Sequence, residues 1–253
     1  MKNRKFLLIP YITAGFPSKK LFIPILKTLS ENGSDFIEVG VPHSDPLADG
    51  PVIQYSSKVA LENGVTLKWI VETCHGMSLQ RMTPLILFSY FNPILNYGLE
   101  KLLQDLPKPL FYGLIIPDLP LEEAEKYLPL FKKYKLNFIP LVAPTTKKEK
   151  IKKIVRACHG IPGGFIYLVS VTGTTGVRKI LSKNLKQKIK EVKLVTKKPI
   201  VVGFGISTAK QAKQVISYGA DGVVIGSAII KVLCRGRSVC LPQLKRFVKS
   251  FKQ

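Results

Sequence analysis

Short apolar runs alternate along the chain with longer segments in which apolar residues recur every three or four positions. The short runs, rich in Val, Ile and Phe, predict buried strands, and the longer spacing predicts amphipathic helices. Eight strands are predicted, at residues 6–12, 35–40, 84–88, 111–116, 137–142, 165–170, 199–202 and 222–225. This alternation over 253 residues predicts an α/β fold, a (β/α)₈ TIM barrel that forms one domain, residues 1–253.

The alternative architecture is an open doubly wound sheet, but no GxGxxG motif follows the first strand, which weakens a dinucleotide-binding fold. Two prolines fall inside helical patterns. Because proline lacks an N–H group and clashes with the preceding turn, Pro24 predicts a late helix start and Pro129 predicts a distorted helix.

The second predicted strand carries a carboxylate among apolar residues. Alternation places Phe36, Glu38 and Gly40 on one face and Ile37 and Val39 on the other. An ionised Glu in a buried parallel strand is costly unless it is paired, hydrated or used. If Glu38 points into the mouth of a barrel, partial desolvation raises its pKa towards that of a useful acid or base.

Active sites of such barrels lie where strands end and loops begin. That rule selects polar and aromatic candidates after the second, third, fourth and sixth strands: Glu38, Asp45, Asp49, Tyr90, Asn92, Asp118 and Tyr167. Glycine-rich stretches follow the sixth, seventh and eighth strands, at residues 172–176, 203–207 and 226–227. Three such stretches at successive strand ends favour a phosphate site over simple tight turns.

Charge and cysteine content narrow the function only partly. Lys and Arg number 39 against 16 acidic residues, a net charge of +23, yet no nucleic-acid module or interleaved aromatic residues accompany the lysines. Cys74-His75 and Cys158-His159 resemble fragments of a metal site, but the cysteines have no metal-binding spacing. No transmembrane segment or signal peptide is predicted, so we expect a cytoplasmic protein without a metal, a membrane or nucleic acid.

Several motifs, in order along nearly the whole chain, resemble those of the tryptophan synthase alpha subunit family. The most specific is Ser-Asp-Pro-Leu-Ala-Asp-Gly-Pro at residues 44–51, which follows Glu-Val-Gly-Val-Pro at residues 38–42. The other matching stretches are residues 10–15, 90–93, 117–120, 141–146, 173–178, 203–207 and 226–228.

This resemblance implies reversible retro-aldol cleavage of indole-3-glycerol phosphate to indole and glyceraldehyde 3-phosphate. Indole would pass by channelling to a beta subunit in an allosteric alpha2-beta2 heterotetramer. The cofactor of that system, pyridoxal phosphate, would lie on the beta subunit, and this chain would carry none.

The resemblance also implies roles for individual residues. Glu38 matches the acid/base, Asp49 the carboxylate that holds the indole N–H, and Thr175 a lid residue that orients Asp49. The remaining matches to substrate or phosphate contacts are Tyr11, Tyr90, Tyr167, Gly176, Phe204, Gly205, Gly226 and Ser227. Asp45, Asn92 and Asp118 match the face that meets the beta subunit.

Three features depart from the family pattern: Phe16, His43 and a shortened N-terminal segment, with only about five residues before the first strand. His43 stands where the family usually has Phe or Tyr, two residues from Asp45. Two other hypotheses therefore stay open. One is a mainly regulatory subunit that activates the beta subunit with weak or no lyase activity, and the other is a different phosphate-binding barrel that acts alone.

Overall fold

A computed structural model describes residues 6–46, 49–77, 82–157, 164–170, 184–234 and 241–252. Within these ranges lie nine strands: β1 (Leu7–Thr13), β2 (Ile37–Gly40), β3 (Leu85–Phe88), β4 (Phe111–Ile115), β5 (Asn137–Phe138), β6 (Leu141–Val142), β7 (Ile166–Val169), β8 (Ile200–Gly203) and β9 (Gly222–Ile225). All neighbouring strands are parallel, in the order β5-β4-β3-β2-β1-β9-β8-β7-β6.

The sheet closes because β5 and β6 are two halves of one barrel strand. The first half pairs with β4, and the second half pairs with β7. Across the break, the Ile139 N–H donates to Leu114 O on one side, and Pro140 O accepts from the Tyr167 N–H on the other. The predicted strand at residues 137–142 is therefore interrupted at Pro140, and the predicted (β/α)₈ barrel is confirmed.

Helices follow the strands and cover the outside of the barrel. They are α1 (Lys19–Ser30), α2 (Pro51–Glu62), α3 (Leu67–His75), α4 (Phe91–Tyr97), α5 (Leu99–Asp105), α6 (Leu121–Ala124), α7 (Leu128–Lys133), α8 (Lys148–Ala157), α9 (Leu185–Lys193), α10 (Ala209–Ser217), α11 (Ser227–Cys234) and α12 (Leu241–Lys249). The longer helices bury an apolar stripe on their inner side; in α1 that stripe is Phe22, Ile25, Leu26 and Leu29.

The two prolines behave differently. The predicted late start at Pro24 is wrong, because α1 begins at Lys19 and continues through the proline. The Thr28 hydroxyl donates to Pro24 O in the following turn, at 2.8 Å. The predicted distortion at Pro129 is confirmed: a 3₁₀ turn, Glu125–Tyr127, separates α6 from α7, and Pro129 occupies the first turn of α7, where a missing N–H costs nothing.

Side chains fill the barrel interior near the amino ends of the strands, and a pocket opens at the carboxyl ends. Near the amino ends, the Phe36 ring packs on Tyr112 at 4.6 Å and on Phe165 at 6.2 Å between centroids. One layer higher, Tyr11 is the register partner of Glu38. Polar groups of the carboxyl half therefore rest on an aromatic base.

Two glycines make room for tyrosines inside this layer. A Cβ atom at Gly40 would lie 2.1 Å from the Tyr11 hydroxyl oxygen, and one at Gly203 would lie 2.0 Å from the Tyr167 hydroxyl oxygen. Both distances are much shorter than a van der Waals contact between carbon and oxygen. Each tyrosine therefore lies across a neighbouring strand at a position where only glycine fits.

We expect Gly40→Ala to lower the free energy of unfolding by about 1–3 kcal/mol, the usual cost of overpacking a core. Gly76→Ala is the matched control, because a Cβ there would meet its nearest atom at 3.6 Å and the backbone is helical. Urea unfolding followed by circular dichroism measures both. Equal stability of the two variants would show that Tyr11 moves aside without cost.

Candidate active site

Glu38 is buried at the centre of the open end. It lies on β2, is 2 % exposed and lines a pocket that opens to solvent. Among the described residues, its Oε2 atom has no hydrogen-bond partner. A buried carboxyl oxygen without a partner is costly in a stable fold, so this atom is available to a bound molecule.

Asp49 is held beside the same pocket by a loop that returns to the barrel. Its N–H donates to Pro46 O at 2.9 Å, and the Gln54 side chain donates to its carbonyl oxygen at 2.8 Å. The Tyr90 hydroxyl donates to Asp49 Oδ2 at 3.2 Å. The backbone of Asp49 and its carboxylate are therefore fixed by different groups.

The two carboxyl groups have different pKa values because their environments differ. Burial raises the pKa of Glu38 to about 8, and the negative charge of Asp49 adds to this effect. Burial also raises the pKa of Asp49, to about 6, against the opposing effect of the hydrogen bond from Tyr90. Near pH 7 the site therefore combines a protonated Glu38 with an ionised Asp49, the arrangement of an acid beside a charge stabiliser.

Two tyrosines that line the pocket, Tyr11 and Tyr167, keep their hydroxyl protons. The pKa of Tyr11 is raised well above its ordinary value by burial and then by Asp49. Burial and then Glu38 raise the pKa of Tyr167 in the same direction. Both hydroxyl groups are therefore neutral donors beside the carboxyl groups.

Apolar side chains supply most of the remaining wall. Of the residues named from the sequence, the structure brings seven to this pocket: Tyr11, Glu38, Asp49, Tyr167, Phe204, Gly226 and Ser227. Sequence reasoning missed Ile53, Phe88 and Val224, which complete the lining. Phe88 and Val224 lie at or near the ends of β3 and β9, so the strand-end rule, extended to apolar residues, would have found them.

The last two strands end in loops suited to a small anion. After β8 the chain turns through Phe204 at φ 71° and Gly205 at φ 80°, and the Ser170 hydroxyl donates to Phe204 O. A non-glycine residue at positive φ is uncommon and concentrates at functional sites. Gly226 directly precedes α11, whose first N–H groups have no acceptor within the helix.

The other predicted site residues fall outside the pocket lining. Tyr90 contacts the site through its hydrogen bond to Asp49. Asp45, Asn92 and Asp118 are exposed near the ends of successive strands, and Asp118 accepts from the Phe91 N–H at the start of α4. Thr175 and Gly176 lie outside the described residues.

Two other features, a metal site and a membrane-spanning helix, are absent from the described part of the chain. No group of three or more His, Cys, Asp or Glu residues there comes together as a metal site. None of the helices in the described ranges has the length and apolar character needed to cross a membrane.

A closed barrel with an acid, a charged carboxylate and an apolar pocket at its carboxyl end defines a class of enzymes that perform acid/base chemistry on small molecules. Comparison with known proteins gives the particular family. Residues 1–253 match the family described as tryptophan synthase alpha chain. The chain belongs to this family.

Similar proteins extend over almost all of this chain. The tryptophan synthase alpha chain of Picosynechococcus sp. is 45 % identical over 250 residues, 97 % of this chain and 92 % of the relative. That of Arabidopsis thaliana is 42 % identical over 250 residues, 98 % of this chain and 90 % of the relative. A structure of Mycobacterium tuberculosis tryptophan synthase superposes with a TM-score of 0.88 at 34 % identity, covering 98 % of this chain and 92 % of the other.

We expect wild-type stability to fall with rising pH relative to Glu38→Gln. Glu38 ionises near 4.5 in the unfolded chain and near 8 in the folded protein. The folded state therefore holds the proton more tightly, and this stabilisation is complete below about pH 4.5 and lost by about pH 8. The difference should reach on the order of a few kcal/mol. Urea unfolding at several pH values measures it, and parallel curves for the two proteins would contradict the burial of a protonated Glu38.

Proposed function

We propose that this chain cleaves indole-3-glycerol phosphate to indole and glyceraldehyde 3-phosphate by a reversible retro-aldol reaction. The observation that carries the proposal is the separation of pKa values between Glu38 and Asp49 in one apolar pocket. Membership of the tryptophan synthase alpha chain family supports the same reaction.

Glu38 is the acid and base of the proposed reaction. As the protonated acid, it delivers its proton to C3 of the indole ring. The resulting carboxylate then takes the proton of the glycerol hydroxyl group, whose oxygen becomes the aldehyde oxygen as the C–C bond breaks and its electron pair returns to the ring. The proton count closes and Glu38 ends protonated, so one group with a pKa of about 8 suits both steps.

Asp49 stabilises the charge that this sequence creates. Protonation at C3 places positive charge on the ring, and an ionised carboxylate at the ring N–H offsets that charge. Phe88, Phe204 and Val224 offer an apolar surface for a flat aromatic ring. A pocket of this composition favours the ring while the carboxyl groups select its N–H and its C3.

The phosphate group is assigned to the glycine loops. Gly205 lies in the loop after β8, and Gly226 and Ser227 lie at the start of α11. Gly176 joins this set in the proposal, with Thr175 as the lid residue that orients Asp49. The net charge of +23 also favours an anionic substrate, because the field of a basic protein raises the concentration of anions near its surface. Tyr11 and Tyr167 complete the contacts near the acid.

The proposed partner is a tryptophan synthase beta subunit, in an alpha2-beta2 assembly in the cytoplasm. The beta subunit would carry pyridoxal phosphate, and this chain would need no cofactor, because both proton transfers use Glu38. Asp45, Asn92 and Asp118 form the proposed docking face, which is exposed at the same end of the barrel as the pocket.

Glu38→Gln should abolish cleavage, because the amide can neither deliver nor accept the proton. Asp49→Asn should lower kcat by a factor of about 10² to 10³, the usual effect of losing one electrostatic stabiliser. Release of glyceraldehyde 3-phosphate from indole-3-glycerol phosphate measures both, with and without the beta subunit. Normal turnover by Glu38→Gln would remove it as the acid/base.

The same assay decides between the lyase and the regulatory subunit. Release that rises when the beta subunit is added supports a working lyase under allosteric control. No release in either case, together with faster beta-subunit turnover, would replace the proposal with a regulatory role. No response of any kind would favour a different phosphate-binding barrel.

Asp45→Lys should weaken binding to the beta subunit by about tenfold or more, because it places a long cation where the proposed interface would bury a carboxylate. Glu72→Lys on α3 is the matched control, since Glu72 is exposed away from the proposed docking face. Titration calorimetry with the beta subunit measures both affinities. Equal affinities would place the interface elsewhere.

A further inference from the structure

Tyr90 connects the loop that carries Asp49 to the third barrel strand. It lies two residues after β3, directly before α4, and is 5 % exposed. Its hydroxyl donates to Asp49 Oδ2, and its carbonyl oxygen accepts from the Ser89 hydroxyl at 2.9 Å. The direction of the Tyr90 ring therefore decides where the hydroxyl group meets the carboxylate.

The flat face of that ring is covered by His43. The two rings are stacked, with centroids 4.9 Å apart and planes inclined by 26°. His43 and Asp49 belong to the same loop, six positions apart. One loop therefore touches Tyr90 at two points, on the ring face and at the hydroxyl.

The loop is anchored at both ends, which gives these contacts a fixed frame. At its start, the Val41 N–H donates to Phe88 O at the end of β3, at 2.8 Å. At its far end, the backbone of Asp49 is held by Pro46 and Gln54. With the backbone fixed, the hydrogen bond from Tyr90 restrains rotation of the Asp49 carboxylate.

We propose that His43 is a positioning residue that, by stacking on Tyr90, holds the tyrosine hydroxyl on Asp49 and so fixes the orientation of that carboxylate. The inference rests on the role of Asp49 in the proposed function. A stacked contact needs a flat ring rather than an imidazole nitrogen. Phenylalanine should therefore replace His43, and alanine should not.

The test uses the full chain without the beta subunit, so that effects on docking do not enter. Cleavage of indole-3-glycerol phosphate is measured for His43→Ala, His43→Phe, Tyr90→Phe and the double variant His43→Ala/Tyr90→Phe. His75→Ala is the matched control, because His75 is exposed on α3 and bonds Asp105 O. Urea unfolding confirms that each variant is folded at the assay temperature.

His43→Ala should lower kcat by about three- to tenfold, the scale of one aromatic pair, with KM nearly unchanged. His43→Phe should restore kcat to within about twofold, and His75→Ala should not change it. Tyr90→Phe should lower kcat at least as much as His43→Ala. The double variant should be no slower than Tyr90→Phe, because both changes remove the same hydrogen bond.

A carbon-13 titration of Asp49 provides a readout that does not depend on activity. Loss of the Tyr90 donor should raise the pKa of Asp49 in His43→Ala and Tyr90→Phe, and His43→Phe should keep the wild-type value. Wild-type kcat and pKa in His43→Ala would overturn the inference, as would equal loss in His43→Phe or additive effects in the double variant.

Failure of the stack and failure of the proposed function are distinguishable. A low kcat in Asp49→Asn with a wild-type kcat in His43→Ala would reject the stack alone. A wild-type kcat in Asp49→Asn would reject the role of Asp49 itself, and the Asp49 titration would then show whether the stack still orients the carboxylate.

Discussion

Burial of two carboxyl groups in one pocket is the constraint on which the open end of this barrel depends. Removing Glu38 from water favours its protonated form, and the nearby charge of Asp49 strengthens that preference. Asp49 is kept closer to its ionised form by the hydrogen bond from Tyr90. The pair is therefore asymmetric, and acid/base chemistry needs that asymmetry.

The residues around the two carboxyl groups are restricted in side-chain size and backbone conformation. Gly40 and Gly203 lack side chains where two tyrosines must lie across neighbouring strands. Phe204 adopts a left-handed backbone in the loop after β8. Glycine within a strand and a non-glycine residue at positive φ each lower stability when taken alone. All three residues lie in the layer that encloses the pocket. Close packing and a left-handed residue therefore occur where the chemistry is proposed.

Much of the fold could be predicted because local spacing encodes local structure. Short apolar runs between longer amphipathic segments predict the eight strand positions, and the carboxylate within the second apolar run singles out Glu38. The predicted element boundaries were wrong where contacts with distant parts of the chain determine the local structure. Packing keeps Pro24 inside α1, and pairing with two different neighbours divides the fifth strand at Pro140.

By itself, the sequence determined the barrel, its family and most residues of the candidate site, because strand ends and motifs are readable along the chain. The tertiary structure alone decided how those residues act on one another. It placed Phe88 and Val224 in the wall, separated the pKa values of Glu38 and Asp49, and stacked His43 on Tyr90. Burial, hydrogen-bond direction and ring contact depend on atoms far apart in sequence, so no local pattern contains them.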